Sequence, residues 1–202
     1  MKKFTFILLL LTSAFLYADE AMMRLELMVN GYYPEYKKFH FNQPIWSFEG
    51  YGDIINLAEN FGIGAGANIS FKSYQTYIVE KKHYDFYMHN FWNTYKEDDY
   101  FIYGFYFGGR QFDYLAQEPG DYNEVQIRFF RFLAGFEFAN EDWGFEIKAT
   151  QSESHKMIFS SEVKYRRNNR LILKLGSSNR GALKGMKSEM YFLLGYEFFL
   201  GK

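Results

Sequence analysis

The 202-residue chain has no cysteine. That excludes a disulfide scaffold, a cysteine zinc centre, a cysteine nucleophile and a lipoprotein-type anchor. Prolines number only three, so little interrupts regular structure. An excess of charge of one sign is also missing. Lys and Arg total 23 against 24 Asp and Glu, a net charge of −1 without the basic footprint of a nucleic-acid binder. Beyond residue 18 no apolar run approaches the ~18–20 residues of a membrane helix. What the chain has in excess is aromatic: 24 Phe, 18 Tyr and 3 Trp. That content excludes disorder and suits strands with a broad aromatic surface.

The N-terminus reads Met1-Lys2-Lys3, an apolar run from Phe4 to Tyr17, then Ala18-Asp19-Glu20. A basic start, a short apolar stretch and a small boundary residue describe a cleaved secretory signal peptide over 1–18. The mature domain is then 19–202. Removing 1–18 takes away Lys2 and Lys3 and no acid, so the mature chain is the more acidic.

The recurring pattern thereafter is alternation with period two, the mark of a strand with unlike faces. Met23, Leu25, Leu27 and Val29 oppose Arg24, Glu26 and Asn30. Ile63, Ala65, Ala67, Ile69 and Phe71 oppose Gly62, Gly64, Gly66, Asn68 and Ser70. Trp143 to Thr150 alternates throughout, and Met157, Phe159, Val163 and Tyr165 oppose Ser160, Glu162, Lys164 and Arg166. In 100–112, Phe101, Tyr103, Phe105 and Phe107 share a face, with Gly104, Tyr106, Gly108 and Arg110 opposite. The stretch 124–138 changes phase. A β-bulge at Phe129-Phe130 would restore one apolar face and place Arg128, Arg131 and Glu137 on the other. Further strands are expected at 39–51, 83–95, 171–177 and 189–200, with a short helical turn in 52–60.

Tight polar connections at 96–99, 139–142 and 167–170 alternate with longer ones at 113–123, 151–156 and 178–188. That is the plan of an all-β, closed, antiparallel up-and-down barrel with short turns at one end and loops at the other. Ten strands are expected, with eight as the alternative. Charges of both signs on the non-aromatic faces point to a membrane barrel whose apolar face meets lipid. Its lumen network would be Arg24, Glu26, Arg110, Arg128, Glu146, Lys148, Glu162, Lys164 and Glu197, joined by Glu137 and Lys174. The competing arrangement is a soluble lipocalin-like barrel with the apolar face inward.

The final strand supplies a further pointer. Gly195, Phe198 and Leu200, within Tyr191 to Leu200, resemble the C-terminal sorting signal of bacterial outer-membrane β-barrel proteins. That family usually ends on Phe or Trp, whereas this chain ends Leu200-Gly201-Lys202. The resemblance implies a transmembrane barrel in the outer membrane, inserted by the envelope's assembly machinery and surrounded by lipid. It implies a monomer whose loops are candidates for contact with lipopolysaccharide or an extracellular ligand.

Sequence signals for chemistry are few. Gly62-Ile63-Gly64-Ala65-Gly66-Ala67 formally fits G-x-G-x-x-A, but Asn68-Ile69-Ser70-Phe71 continues a strand where a dinucleotide fold needs a helix. His40, His83 and His155 are expected near one rim, without the spacing of a metal site. Outer-membrane proteases use an Asp pair facing Asp-His, and lipid A deacylases use His-x-Ser with Glu. Asp98-Asp99 and His155-Lys156-Met157 match neither. The expectation is therefore a non-enzymatic protein with a structural or surface-interaction role and no cofactor, metal or nucleic acid. A narrow pore or carrier, a membrane-embedded hydrolase and a soluble binder are the alternatives.

Overall fold

A computed structural model describes residues 21–36, 45–72, 78–96, 99–117, 123–167 and 170–200. The expected signal segment and His40 lie outside them. Alternation becomes ten strands: β1 (Met22–Tyr36), β2 (Ile45–Ala58), β3 (Phe61–Ser70), β4 (Ile78–Lys96), β5 (Asp99–Gln117), β6 (Glu124–Asn140), β7 (Trp143–Gln151), β8 (Met157–Arg167), β9 (Leu171–Ser178) and β10 (Met186–Leu200). Each pairs antiparallel with its sequence neighbours, and β1 closes on β10. The fold is a closed ten-stranded up-and-down barrel, which leaves no free edge around its girth. Eight strands, the alternative count, is not what forms.

Connections after β2, β4, β6 and β8 share one end, the turn end. Those after the odd-numbered strands share the other, the loop end. The strands differ in length: β4 and β5 have 19 residues each and β6 has 17, whereas β7 and β9 have nine and eight. The β4–β6 sheet therefore rises past its neighbours at the loop end.

Two regions depart from expectation. The described second strand is Ile45–Ala58, so the strand expected at 39–51 runs on beyond 51, while 39–44 lie outside the described residues. The expected helical turn in 52–60 is strand followed by a two-residue turn, with Asn56 and Asn60 at φ 58° and 57°. Asparagine enters that left-handed region more readily than most residues. The second region is β6. Its pairing with β5 runs from Gln117↔Glu124 to Phe101↔Asn140 without a shift, so there is no bulge at Phe129-Phe130.

Period two then sorts the side chains. Leu27, Phe48, Phe105, Phe107, Phe130, Phe159 and Leu175 are exposed on the outer surface, Phe105 at 62%. Arg24, Glu26, Asp53, Glu162, Lys174 and Glu197 are buried inside. Apolar residues close both ends of the interior. Tyr32, Ile45, Phe112, Tyr114, Leu183 and Met186 belong to a cluster at the loop end. Met22, Ile55, Phe91, Ile102 and Ala139 belong to one at the turn end.

Candidate functional site

Between the two apolar clusters the barrel holds a charged interior. Near the turn end, Arg24 from β1 bridges two carboxylates. Its Nε and one terminal nitrogen donate to Asp53 at 3.0 and 2.8 Å. Its terminal nitrogens also donate to Glu137 at 2.6 and 2.9 Å. Lys164 lies between Glu26, Glu197 at 3.1 Å and Glu137 at 3.8 Å. Arg166 donates to Glu197 at 2.5 Å and to the Asn140 carbonyl, tying β8 to the β6–β7 turn. Lys174 meets Glu26 and Glu162, the latter at 3.3 Å. Nearer the loop end, Lys148 pairs with Glu146 at 2.9 Å, and Arg110 grips Asp85 through two bonds of 2.6 Å. Charges placed so far from bulk water are costly unless paired and hydrogen-bonded. The strand register supplies that pairing across the barrel.

Four tyrosines complete the interior, and each lies directly opposite a glycine. Tyr51 faces Gly66, Tyr87 faces Gly64, Tyr106 faces Gly135 and Tyr191 faces Gly176. A Cβ on any of these glycines would meet the tyrosine ring at 2.1–2.4 Å. Each ring therefore lies against the wall where a side chain is missing. Three hydroxyls then reach carboxylates: Tyr87 to Asp53 at 2.5 Å, Tyr106 to Glu146 at 2.6 Å and Tyr51 to Asp85 at 3.3 Å.

Eight of the nine expected lumen charges (Arg24, Glu26, Arg110, Glu146, Lys148, Glu162, Lys164 and Glu197) lie in this interior. The ninth, Arg128, does not. Without the bulge its side chain points outward, is 58% exposed, and pairs with Asp113 at 2.7 Å. Arg131 faces in, where it donates to the carbonyls of Ser152 and Glu153. Those bonds tie the β7–β8 loop to the wall, and Glu153 in turn accepts from the Lys184 amide of the β9–β10 loop.

Sequence reasoning missed Asp53, because 52–60 read as a turn. It also missed Glu49, which Asn30 and Asn68 hold at 3.1 and 2.6 Å. The parity Lys81, His83, Asp85, Tyr87, His89 along β4 was the available signal for Asp85. His83, buried near the start of β4, and His155, in the β7–β8 loop at φ 60°, both fall toward the loop end, and His89 is buried farther along β4. Among the described residues no group of three His, Asp or Glu side chains is placed to hold a metal ion. Gly195 and Phe198 lie on β10 opposite Met28 and Leu25, and Leu200 lies opposite Met23, all on the closing seam.

Cavities interrupt the packing among the described residues. One of about 30 Å³ lies among Arg24, Asp53, Tyr87, Glu137 and Lys164. One of about 70 Å³ lies among Asn30, Glu49, Lys81, His83 and Arg110. Each has room for only a few waters.

No family model matches the chain, and no curated protein matches it. Solved structures do. Ail, the attachment invasion locus protein of Yersinia pestis, is similar in complex with the heparin analogue sucrose octasulfate: TM-score 0.44, 9% identity, 89% of this chain and 99% of that chain covered. A second structure of Ail gives 0.41, 10%, 89% and 99%. Neisserial surface protein A gives 0.39, 9%, 89% and 97%.

Proposed function

We propose that the chain is a monomeric bacterial outer-membrane barrel, exported with removal of residues 1–18. Its lumen is a packed scaffold, and its loop end contacts envelope or extracellular molecules. Among the described residues no helix is long and apolar enough to cross a membrane. The outer surface suits lipid, since a water-facing monomer rarely presents so wide an apolar face. Aromatic pairs edge that face toward the turn end: Trp92 with Tyr103 at 5.4 Å between centroids, Trp143 with Tyr165 at 4.8 Å. Others edge it toward the loop end: Trp46 with Phe192 at 5.6 Å, Phe48 with Phe71 at 5.0 Å. Two aromatic girdles around an apolar band are what the two interfaces of a bilayer select.

The observation that carries the non-conducting part is the burial of the lumen charges. Arg24 is 4% exposed and Glu197 0%, in the interior of a barrel whose two ends both close on apolar clusters. A water-sized sphere scarcely reaches them. The same closure argues for a non-enzymatic role, because the ionisable groups brought together are ion-paired and out of reach of a solute.

Fractionation and conductance test this reading. The expected result is a detergent-extracted protein in the outer-membrane fraction, with heat-modifiable gel migration and no steady current in planar bilayers. Recovery from the soluble periplasm would refute the membrane reading. Stable ion-selective currents would favour the pore.

A further inference from the structure

The barrel is closed around its girth but not along the full length of every strand. Strand β6 pairs with β5 over its whole length, Glu124 to Asn140 being in unbroken register. Its pairing with β7 begins only at Leu133↔Thr150 and runs toward the turn end. Residues 124–132 therefore have a strand neighbour on one side only. The backbone polarity of that segment can be read from its carbonyls. The Phe132 carbonyl accepts from Thr150 Oγ1 of β7 at 2.6 Å, so it points to the β7 side. Period two turns the N–H and C=O of Gln126 and Arg128 the same way. Among the described residues no backbone bond meets either on that side.

We propose that this upper edge of β6 is a docking site for an extended segment of another polypeptide, which adds to the β4–β5–β6 sheet as a further strand. Folded proteins generally blunt such an edge with proline, a bulge or inward charge. Here the run Glu124-Val125-Gln126-Ile127-Arg128-Phe129 has no proline and no register shift. Backbone bonds would supply binding, and alternate side chains selectivity. Val125, 56% exposed, and Ile127 offer an apolar row to one face of the added strand. Glu124, Gln126 and Arg128 offer a polar row to the other. The complementary segment is thus an alternating one, apolar at every second residue, with an acid opposite Arg128 and a base opposite Glu124.

A second copy in the same membrane does not fit. Both copies would stand loop end up, whereas antiparallel pairing of their β6 edges requires one to be inverted. A parallel ladder fails as well. Two barrels related by an axis along the membrane normal tilt these strands in opposite senses by ~35–45° each.

This inference rests on the membrane-barrel reading for its setting, and the test separates the two. The folded chain in detergent micelles is titrated with the peptide Val-Glu-Val-Thr-Val-Lys-Val. Saturable binding is expected, with the Gln126 and Arg128 amides exchanging freely before binding and slowed by it. The Ile127 and Phe129 amides, in the β5 ladder, exchange slowly throughout. N-methylation at Glu, Thr and Lys of the peptide removes the bonds to the edge and should weaken binding at least about tenfold, whereas N-methylation at alternate Val should not. Gln126→Pro should do the same from the protein side, because the lost N–H faces away from β5, leaving heat-modifiable migration unchanged. Absent binding, indifference to both blocks, or Gln126 and Arg128 amides already protected in the free protein would each overturn the edge proposal. Fluorescent peptide on cells tests the setting alone. Labelling of intact cells supports the loop end as exterior, and labelling only after permeabilisation overturns that orientation with the micelle result standing.

Discussion

Replacing Arg24 with methionine should be among the most damaging single changes inside the barrel. The guanidinium makes four hydrogen bonds to Asp53 and Glu137, and all three side chains are under a tenth exposed. Methionine fills much of the volume, so the loss is electrostatic rather than a cavity. Breaking a buried pair from one side leaves uncompensated charge and typically costs ~3–5 kcal/mol. Here two carboxylates are left facing each other. Tyr87 still donates to Asp53, and Lys164 stands 3.8 Å from Glu137. That residual support places the expected loss near ~3 kcal/mol, the lower end of that range, or about two decades in the folding equilibrium. Urea unfolding of the refolded barrel, followed by the fluorescence of Trp46, Trp92 and Trp143, measures it. Adding Asp53→Asn to Arg24→Met should recover part of the loss, giving a coupling energy of at least ~1 kcal/mol. A loss under ~1 kcal/mol with no coupling would refute the view that the lumen charges hold one another in place.

Arg128→Glu should change stability by less than ~1 kcal/mol, because the Arg128 side chain is 58% exposed, whereas Glu146→Lys, beside Lys148 and Tyr106, should destabilise measurably in the same assay. At Asp113, above the apolar band, burial raises the carboxyl pKa, but hydrogen bonds from Arg128 and Gln126 outweigh it and hold it below its ordinary value. That contribution is present above the unfolded pKa and lost as pH falls through the folded one, so Arg128→Ala should move the Asp113 titration upward by NMR. Deleting residues 198–202 removes Phe198 and Leu200 from the closing seam, and the chain should then be degraded or aggregated in the periplasm; unchanged outer-membrane levels would count against a sorting role. Epitope tags in the 118–123, 152–156 or 179–185 connections should be labelled on intact cells and tags in the 141–142 turn should not, and the reverse would invert the topology.

The strands most legible in the sequence were those whose two faces keep one character over most of their length. Trp143 to Thr150 alternates between an apolar exterior and a polar interior throughout, and Met23 to Asn30 and Met157 to Arg166 do so apart from the inward Met28 and Ile158 and the outward Ser161, so period two suffices for them. Strand β6 defeats that reading because the interior changes character with height. At its loop end Phe129 faces in and stacks on Phe112 at 4.8 Å beside the apolar cluster, while Phe130 faces out. Lower down, Arg131 and Glu137 face in. Along β6 an apolar residue therefore marks the lumen at Phe129, Leu133 and Ala139 and the exterior at Phe130, Phe132 and Phe138. Taking apolar as outward everywhere demands a bulge that does not exist and turns Arg128 the wrong way. The buried charges were legible where, as around Arg24, Glu26, Glu146, Lys148, Glu162 and Lys164, the opposite face of the strand stays apolar.

The same change of character with height explains how a ten-stranded bore is filled. Eight strands leave an interior just wide enough for side chains, and ten leave more. Small residues inside a wider bore would leave a channel, yet glycines recur at inward positions on β3, β6 and β9. They do not hold space open. Gly64, Gly66, Gly135 and Gly176 each receive a tyrosine ring from the adjacent strand, so the missing side chain is replaced by a flat aromatic wall. The wall brings the hydroxyls of Tyr51, Tyr87 and Tyr106 to carboxylates that Arg and Lys from other strands also reach. A carboxylate held by a phenol on one side and a cation on the other has few lone pairs left for water. Filling, charge pairing and closure of the lumen therefore have one physical origin, the register that sets each of these tyrosines opposite a glycine.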